Sequence, residues 1–300
     1  GINIGRKIGR MLYFGQTVIT SQDPFETGIV GIFLKRVLKV PLQVQLHTDL
    51  FAKGFYDGAL LNWIRFQFAP FILKRADGVR VVREKIKTDL IKICRINAES
   101  ITVLPIFVDV GALQNAPSKI NLKEKYPEFT HRVLMSSRLT GEKNVALGIR
   151  AFAKALPQVP KAGLVIVGSG PLQKRLETLV RELKIEAQVM FEGWQEDLVS
   201  YYRGADVFLS TSEFEGYGMS LIEAAALECA IISSEVGVAG ELLKDKESVL
   251  LCKSQSVECF ASHLATLLLD PEARNTLADG AKSAVSTLIQ SHAVYVALYH

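Results

Sequence analysis

The sequence predicts an α/β protein of two doubly wound domains, the first of them incomplete. Three observations carry this expectation. Short β-branched runs alternate with helical patterns along the chain. A length of 300 residues suits about two domains. A fresh series of strands also begins after a stretch containing Pro105, Pro117 and Pro127.

In the first half, strands are expected at 16–20, 42–46, 78–82 and 101–104, with helices near 26–39, 59–75 and 84–94. Residues 1–112 are read as a partial N-terminal domain, because a complete one opens with a further βα unit, and 113–130 as a connection. The second domain, 131–285, takes strands at 132–136, 164–167, 188–191, 207–210, 230–233 and 249–251. The tail from about Val257 is helical and divides at Pro271, and 286–300 reads as a helix cut short. Both ends are expected to be incomplete.

Composition narrows the function classes. Hydrophobic residues make up 49% and charged residues 22%, a globular balance. No apolar run reaches the length of a membrane span, and the N-terminal Gly-Ile-Asn-Ile-Gly-Arg-Lys lacks the apolar core of a signal peptide. Cys94, Cys229, Cys252 and Cys259 form no CxxC pair, so they read as ordinary core thiols in a reduced, cytoplasmic protein. Residues 1–130 carry 19 Lys and Arg against 11 Asp and Glu, whereas 131–300 carry 16 against 20. The basic half either meets an anionic surface or is a solvated face. Nucleic acid is not an expected partner. An NAD site is disfavoured, because no strand leads into Gly-x-Gly-x-x-Gly with an acidic residue at the next strand end.

The most informative segment is Glu215-Gly-Tyr-Gly-Met-Ser-Leu-Ile-Glu223. Glu215 follows a strand, Gly216 and Gly218 turn the chain around Tyr217, and a helix opens near Met219 and Ser220. N–H groups at a helix start suit a phosphate-bearing ligand. Glu223, a little over two helical turns on, can still face that ligand. The alternative is a strand-turn-helix with solvated glutamates. Arg138-Leu-Thr-Gly-Glu-Lys143 lies at another strand-to-helix junction, where open α/β sheets bind ligands. Its two cations either meet a diphosphate or point to solvent. Gly168-Ser-Gly170-Pro171 is a tight turn into a helix, needed for packing with or without a ligand. Trp194 either stacks on a nucleobase or caps the core edge. His47, at the end of a strand, is either a polar group at a reacting centre or a histidine bonded within its loop.

These motifs resemble the E-x7-E, R-x4-K and G-x-G-P elements of retaining GT-B glycosyltransferases of the family 4 (group 1) type. The likeness covers nearly the whole chain but lacks the family's N-terminal dozens of residues. It implies two Rossmann-like domains facing a cleft, an acceptor-side first domain and a nucleotide-sugar-binding second one. It implies a retaining hexosyltransferase that moves a sugar from a nucleoside diphosphate to an acceptor hydroxyl, with no metal or other cofactor. Glu215 takes the sugar, Glu223 the ribose, Arg138 and Lys143 the diphosphate, and His47 approaches the sugar or acceptor. Gly168, Gly170, Trp194, Gly216, Tyr217, Gly218, Met219 and Ser220 complete the donor site. The acceptor is expected to be lipid-linked or saccharide, with peripheral membrane contact through the basic half. A sugar-nucleotide epimerase and a non-catalytic nucleotide-sugar-binding subunit are the alternatives. The family's Pro-Asn-Gly-Val-Asp is Pro105-Ile-Phe-Val-Asp109 here, and its small-x-Gly-x-Pro is degraded around Leu227-Glu-Cys-Ala230.

Overall fold

A computed structural model describes residues 17–52, 55, 60–288 and 295. Gln16 of the first expected strand and most of the 286–300 helix lie outside these residues. The described chain divides into two units between Ile106 and Phe107, ahead of the boundary expected at 112. The stretch 113–130 belongs with the second unit because it is bonded there. The backbone N–H groups of Lys119 and Ile120 both donate to Ser200 Oγ, at 2.7 and 3.0 Å.

The first unit is a four-stranded parallel sheet in simple spatial order. It comprises β1 (Ile19–Ser21), β2 (Leu42–Leu46), β3 (Gly78–Val81) and β4 (Ile101–Val103). The crossovers are α1 (Glu26–Leu38), α2 (Leu60–Leu73) and α3 (Glu84–Cys94). Val44, Leu46, Val79 and Val81 are buried, as central parallel strands require.

The second unit contains the short helices α4 (Val110–Asn115) and α5 (Leu122–Lys125), then β5 (His131–Ser136), α6 (Val145–Ala155), β6 (Ala162–Val167), α7 (Gln173–Glu182) and β7 (Val189–Gly193). It continues with α8 (Leu198–Gly204), β8 (Val207–Ser210), α9 (Met219–Ala226), β9 (Ala230–Ser234), β10 (Leu250–Cys252), α10 (Val257–Leu269) and α11 (Pro271–Ser286). Asp270 caps α11 by accepting from Ala273 N at 3.0 Å, with Pro271 just inside the helix. The six parallel strands run in the order β10-β9-β8-β5-β6-β7. The chain therefore winds outward from β5 through β6 and β7, then returns to β8 on the other side of β5. That reversal opens a crevice at the carboxyl ends of β5 and β8, the ligand position of doubly wound sheets.

Two local features depart from the sequence reading. Cys252 and Cys259 form a disulfide, while Cys94 and Cys229 are free and buried. Cys252 ends β10 and Cys259 lies in the first turn of α10, so a short loop folds the two together. The Gly position of the degraded small-x-Gly-x-Pro element is taken by Glu228, at φ +60°. It ends α9 in the left-handed conformation, with Cys229 N bonded back to Ala224 O at 2.9 Å. The turn survives without its glycine, under backbone strain. Glu228→Gly should stabilise the protein by about 1 kcal/mol, because the lost pairing with Lys282 is exposed and worth little. Urea unfolding measures this, and an unchanged or lower midpoint contradicts the strain.

Candidate functional site

The crevice at the β5/β8 reversal is lined by Ser136 and Ser137 from β5 and its loop, Ser210 to Ser212 from β8, and Lys143, Glu215 and Ser220. Two loops build it. The loop after β5 tightens into a single 3₁₀ turn at Gly141–Lys143, and Asn144 follows at φ +44°. The loop after β8 lies against it. Glu213 N donates to Glu142 O at 2.8 Å, and Thr211 Oγ1 donates to Asn144 O at 2.9 Å.

Across this seam Lys143 Nζ meets Glu215 Oε1 at 2.6 Å, both side chains about 15% exposed (15% and 14%). Ser212 Oγ donates to the same carboxylate oxygen at 2.8 Å. The first acid of the E-x7-E element and the lysine of the R-x4-K element therefore share one site. Arg138 does not join them. Its side chain is 73% exposed and pairs with Glu142 within its own loop at 3.1 Å, the solvated arrangement weighed for it from the sequence.

Behind Glu215, α9 opens at Gly218, whose φ of +88° demands glycine, and no side chain caps the helix start. Gly216 is not in a left-handed conformation. Tyr217 is buried, which pushes its hydroxyl up to about 12. The N-terminal turn of α9, at Met219 and Ser220, opens beside the crevice that Ser220 lines.

Glu223 is half-buried on the next turn, and desolvation raises its carboxyl above the usual carboxylate range. Tyr202 Oη donates to Glu223 Oε2 at 3.0 Å and opposes that rise. Tyr202 is itself fully buried on α8. A buried tyrosine hydroxyl needs a partner, and Glu223 supplies it.

Gly168 has φ +129°, and a Cβ there would sit 1.9 Å from Ser137 O. One at Gly170 would sit 2.5 Å from Leu139 O. Leu139 N donates to Ser169 O, and Leu172 N to Leu139 O, so this turn buttresses the Arg138–Lys143 loop. Packing alone accounts for both glycines. Trp194 is 69% exposed and caps no core.

Gln255, unremarked in the sequence, tethers the site from the β10–α10 loop. Its amide nitrogen lies 3.1 Å from Ser234 Oγ, and its oxygen accepts from Asn144 Nδ2 at 3.2 Å. The Cys252–Cys259 disulfide closes this same loop. His263 lies close enough to both sulfurs that the three ligand atoms fall within 4.8 Å of one another. The disulfide occupies both sulfurs.

His47 belongs to the first unit. Its Nε2 lies 3.1 Å from Gln22 Oε1 and 3.2 Å from Gln45 Oε1. Burial and then the Arg80 guanidinium lower its pKa, which favours the neutral ring. Among the described residues its partners are side chains, not the loop backbone.

Because Glu223 binds its proton more tightly folded than unfolded, its contribution to stability is greatest below pH 4.5 and falls as pH rises through its raised pKa. Tyr202→Phe removes the bond that favours the ionised form. The variant should lose about 1–3 kcal/mol at neutral pH and less at pH 4. Urea unfolding at both pH values tests this, and an equal loss at both means that Glu223 is not the partner that matters.

Residues 118–284 match the family described as glycosyl transferases group 1. The alpha-monoglucosyldiacylglycerol synthase of Streptococcus pneumoniae is 28% identical over 241 residues, covering 76% of this chain and 54% of that protein. A Campylobacter jejuni N-acetylgalactosaminyltransferase, named for a diphospho-undecaprenol substrate, is 31% identical over 197 residues, covering 65% and 52%. The chain thus spans about half the length of these two relatives. The Anabaena protein HepE, solved with UDP-glucose, superposes with a TM-score of 0.84 at 20% identity, covering 99% of this chain and 80% of that one. The α/β fold with parallel sheets is that of the GT-B glycosyltransferases, and the chain belongs to the glycosyl transferases group 1 family.

Proposed function

We propose that this chain acts as a retaining glycosyltransferase, which moves a hexose from a nucleoside diphosphate to an acceptor hydroxyl. The observation that carries this reading is the Lys143–Glu215 pair at the β5/β8 reversal, beside the opening turn of α9. An ammonium and helix N–H groups at one crevice suit a diphosphate, and stabilising leaving-group charge is usually the largest catalytic contribution. When the diphosphate arrives, Lys143 exchanges the Glu215 carboxylate for phosphate oxygens. Glu215, released, accepts from the sugar hydroxyls, and Glu223 accepts from the ribose. Arg138, on an exposed and mobile type of side chain, swings from Glu142 to the same diphosphate. Trp194 flanks the base, and neutral His47 serves the sugar or acceptor. This chemistry needs no resident cofactor.

The acceptor we favour is lipid-linked, and the site of action the cytoplasmic face of a membrane. The names of the two relatives include a glucosyldiacylglycerol and a diphospho-undecaprenol, which supports that class.

The exchange of partners makes a test that separates the two acids. Glu215→Gln leaves Lys143 without its counter-charge, so UDP or GDP should bind more tightly by calorimetry while sugar transfer is lost. Lys143→Met should lower kcat/KM by about 100-fold or more. Glu223→Gln should weaken nucleotide binding. Weaker nucleotide binding in Glu215→Gln, or unchanged turnover in Lys143→Met, overturns the assignment. NMR of the product anomeric centre decides retention, and an epimerised nucleotide-sugar in place of a glycoside would reveal an epimerase.

A further inference from the structure

The first unit carries a helix that is apolar on both sides. The inner face of α2 buries Ala69, Ile72 and Leu73 in the core. Its outer face leaves Leu60, Trp63, Phe68 and Phe71 exposed at 75, 50, 58 and 51%. The one charged residue of the helix, Arg65, is paired with Glu26 of α1 at 2.8 Å. A surface helix of a water-facing domain shows a polar outer face, and one apolar all round has a second apolar environment to meet.

The neighbouring helix extends this surface. Right-handed crossovers between successive parallel strands lay α1 beside α2 on one side of the sheet. Two contacts tie them: Arg65 to Glu26, and Lys35 Nζ to Arg75 O at 2.9 Å. Val30 and Phe33 of α1 are exposed at 56 and 46%. Cations cluster where the two helices end. Arg36, Lys39 and Lys74 are exposed, and among the described residues none pairs with a carboxylate. The Arg75 guanidinium lies 3.5 Å from the centre of the Phe71 ring.

We infer that the outer face of α1 and α2 docks on an anionic lipid bilayer. Large aromatic side chains with lysine and arginine at one end suit the headgroup boundary, where rings enter and cations meet lipid phosphate. With 14 residues, α2 is too short to cross a bilayer, and no described helix is long and apolar enough to do so. The helix therefore lies on the membrane surface. The inference deepens the lipid-acceptor reading above and rests on it only for its purpose, not for its evidence.

The test uses the full chain and vesicles of phosphatidylcholine alone or mixed equally with phosphatidylglycerol. Co-sedimentation should be strong on the anionic vesicles at low salt and weak on the neutral ones. Phe68→Ser/Phe71→Ser should weaken it by roughly tenfold, and Lys74→Glu should also weaken it, with UDP binding unchanged in both variants. Exposure of all three side chains keeps the variants folded, which circular dichroism verifies. Failure of the wild type to bind anionic vesicles while it still binds UDP overturns the docking surface and leaves the transferase reading standing. Vesicle binding without any nucleotide binding does the reverse. A wild-type dimer that becomes monomeric in Phe68→Ser/Phe71→Ser identifies the face as a self-interface and also overturns the proposal.

Discussion

The ion pair between Lys143 and Glu215 is the contact on which the geometry of the second unit's crevice depends. Neither group sits in bulk water, so each relies on the other for the solvation it has lost. Removing one partner from such a pair costs more than the pair contributes, because a partly buried charge is left alone. The pair also joins two loops that follow strands far apart in sequence. They meet because the sheet reverses its winding between β5 and β8, which brings the two strand ends together. Around the pair, Thr211 and Glu213 fix the seam, Ser212 holds the carboxylate, and Gln255 ties the seam to the loop closed by Cys252 and Cys259.

What could be read from the sequence was whatever has a local period or a local turn. The runs at 42–46, 84–94 and 207–210 coincide with β2, α3 and β8, because strand and helix patterns repeat within a few residues. The helix start after Gly218 was legible for the same reason. Pairings over long separations were not. Nothing local says that Lys143 meets Glu215, that Tyr202 stands beneath Glu223, or that Cys252 reaches Cys259. The absence of CxxC suggested four independent thiols, yet a strand end and the first turn of the next helix bring two together without that motif. Glu228 escaped in the opposite direction. A lost glycine suggested altered geometry, whereas the backbone keeps the left-handed turn and tolerates the side chain.

The outer face of α2 shows where sequence pattern and burial separate. Its apolar residues predict a helix that packs on something, and its inner residues do pack on the sheet. Periodicity cannot reveal that the helix carries more apolar surface than the sheet can cover. Only the exposed rings show that surplus.

The two glutamates of the E-x7-E element solve opposite electrostatic problems. Glu215 has a cation and a hydroxyl within 2.8 Å, so its charge is compensated before any ligand arrives. Among the described residues Glu223 has only a tyrosine hydroxyl, and burial holds its proton more tightly than water would. A carboxylate kept in that state lowers stability as the pH rises towards neutrality, so packing alone gives no reason to retain it; glutamine would keep the bond to Tyr202 at lower cost. Its position is intelligible if a hydroxyl-bearing ligand supplies the donors that the protein withholds. On that argument ligand binding should lower the pKa of Glu223, and nucleotide affinity should fall as pH drops through its carboxylate range.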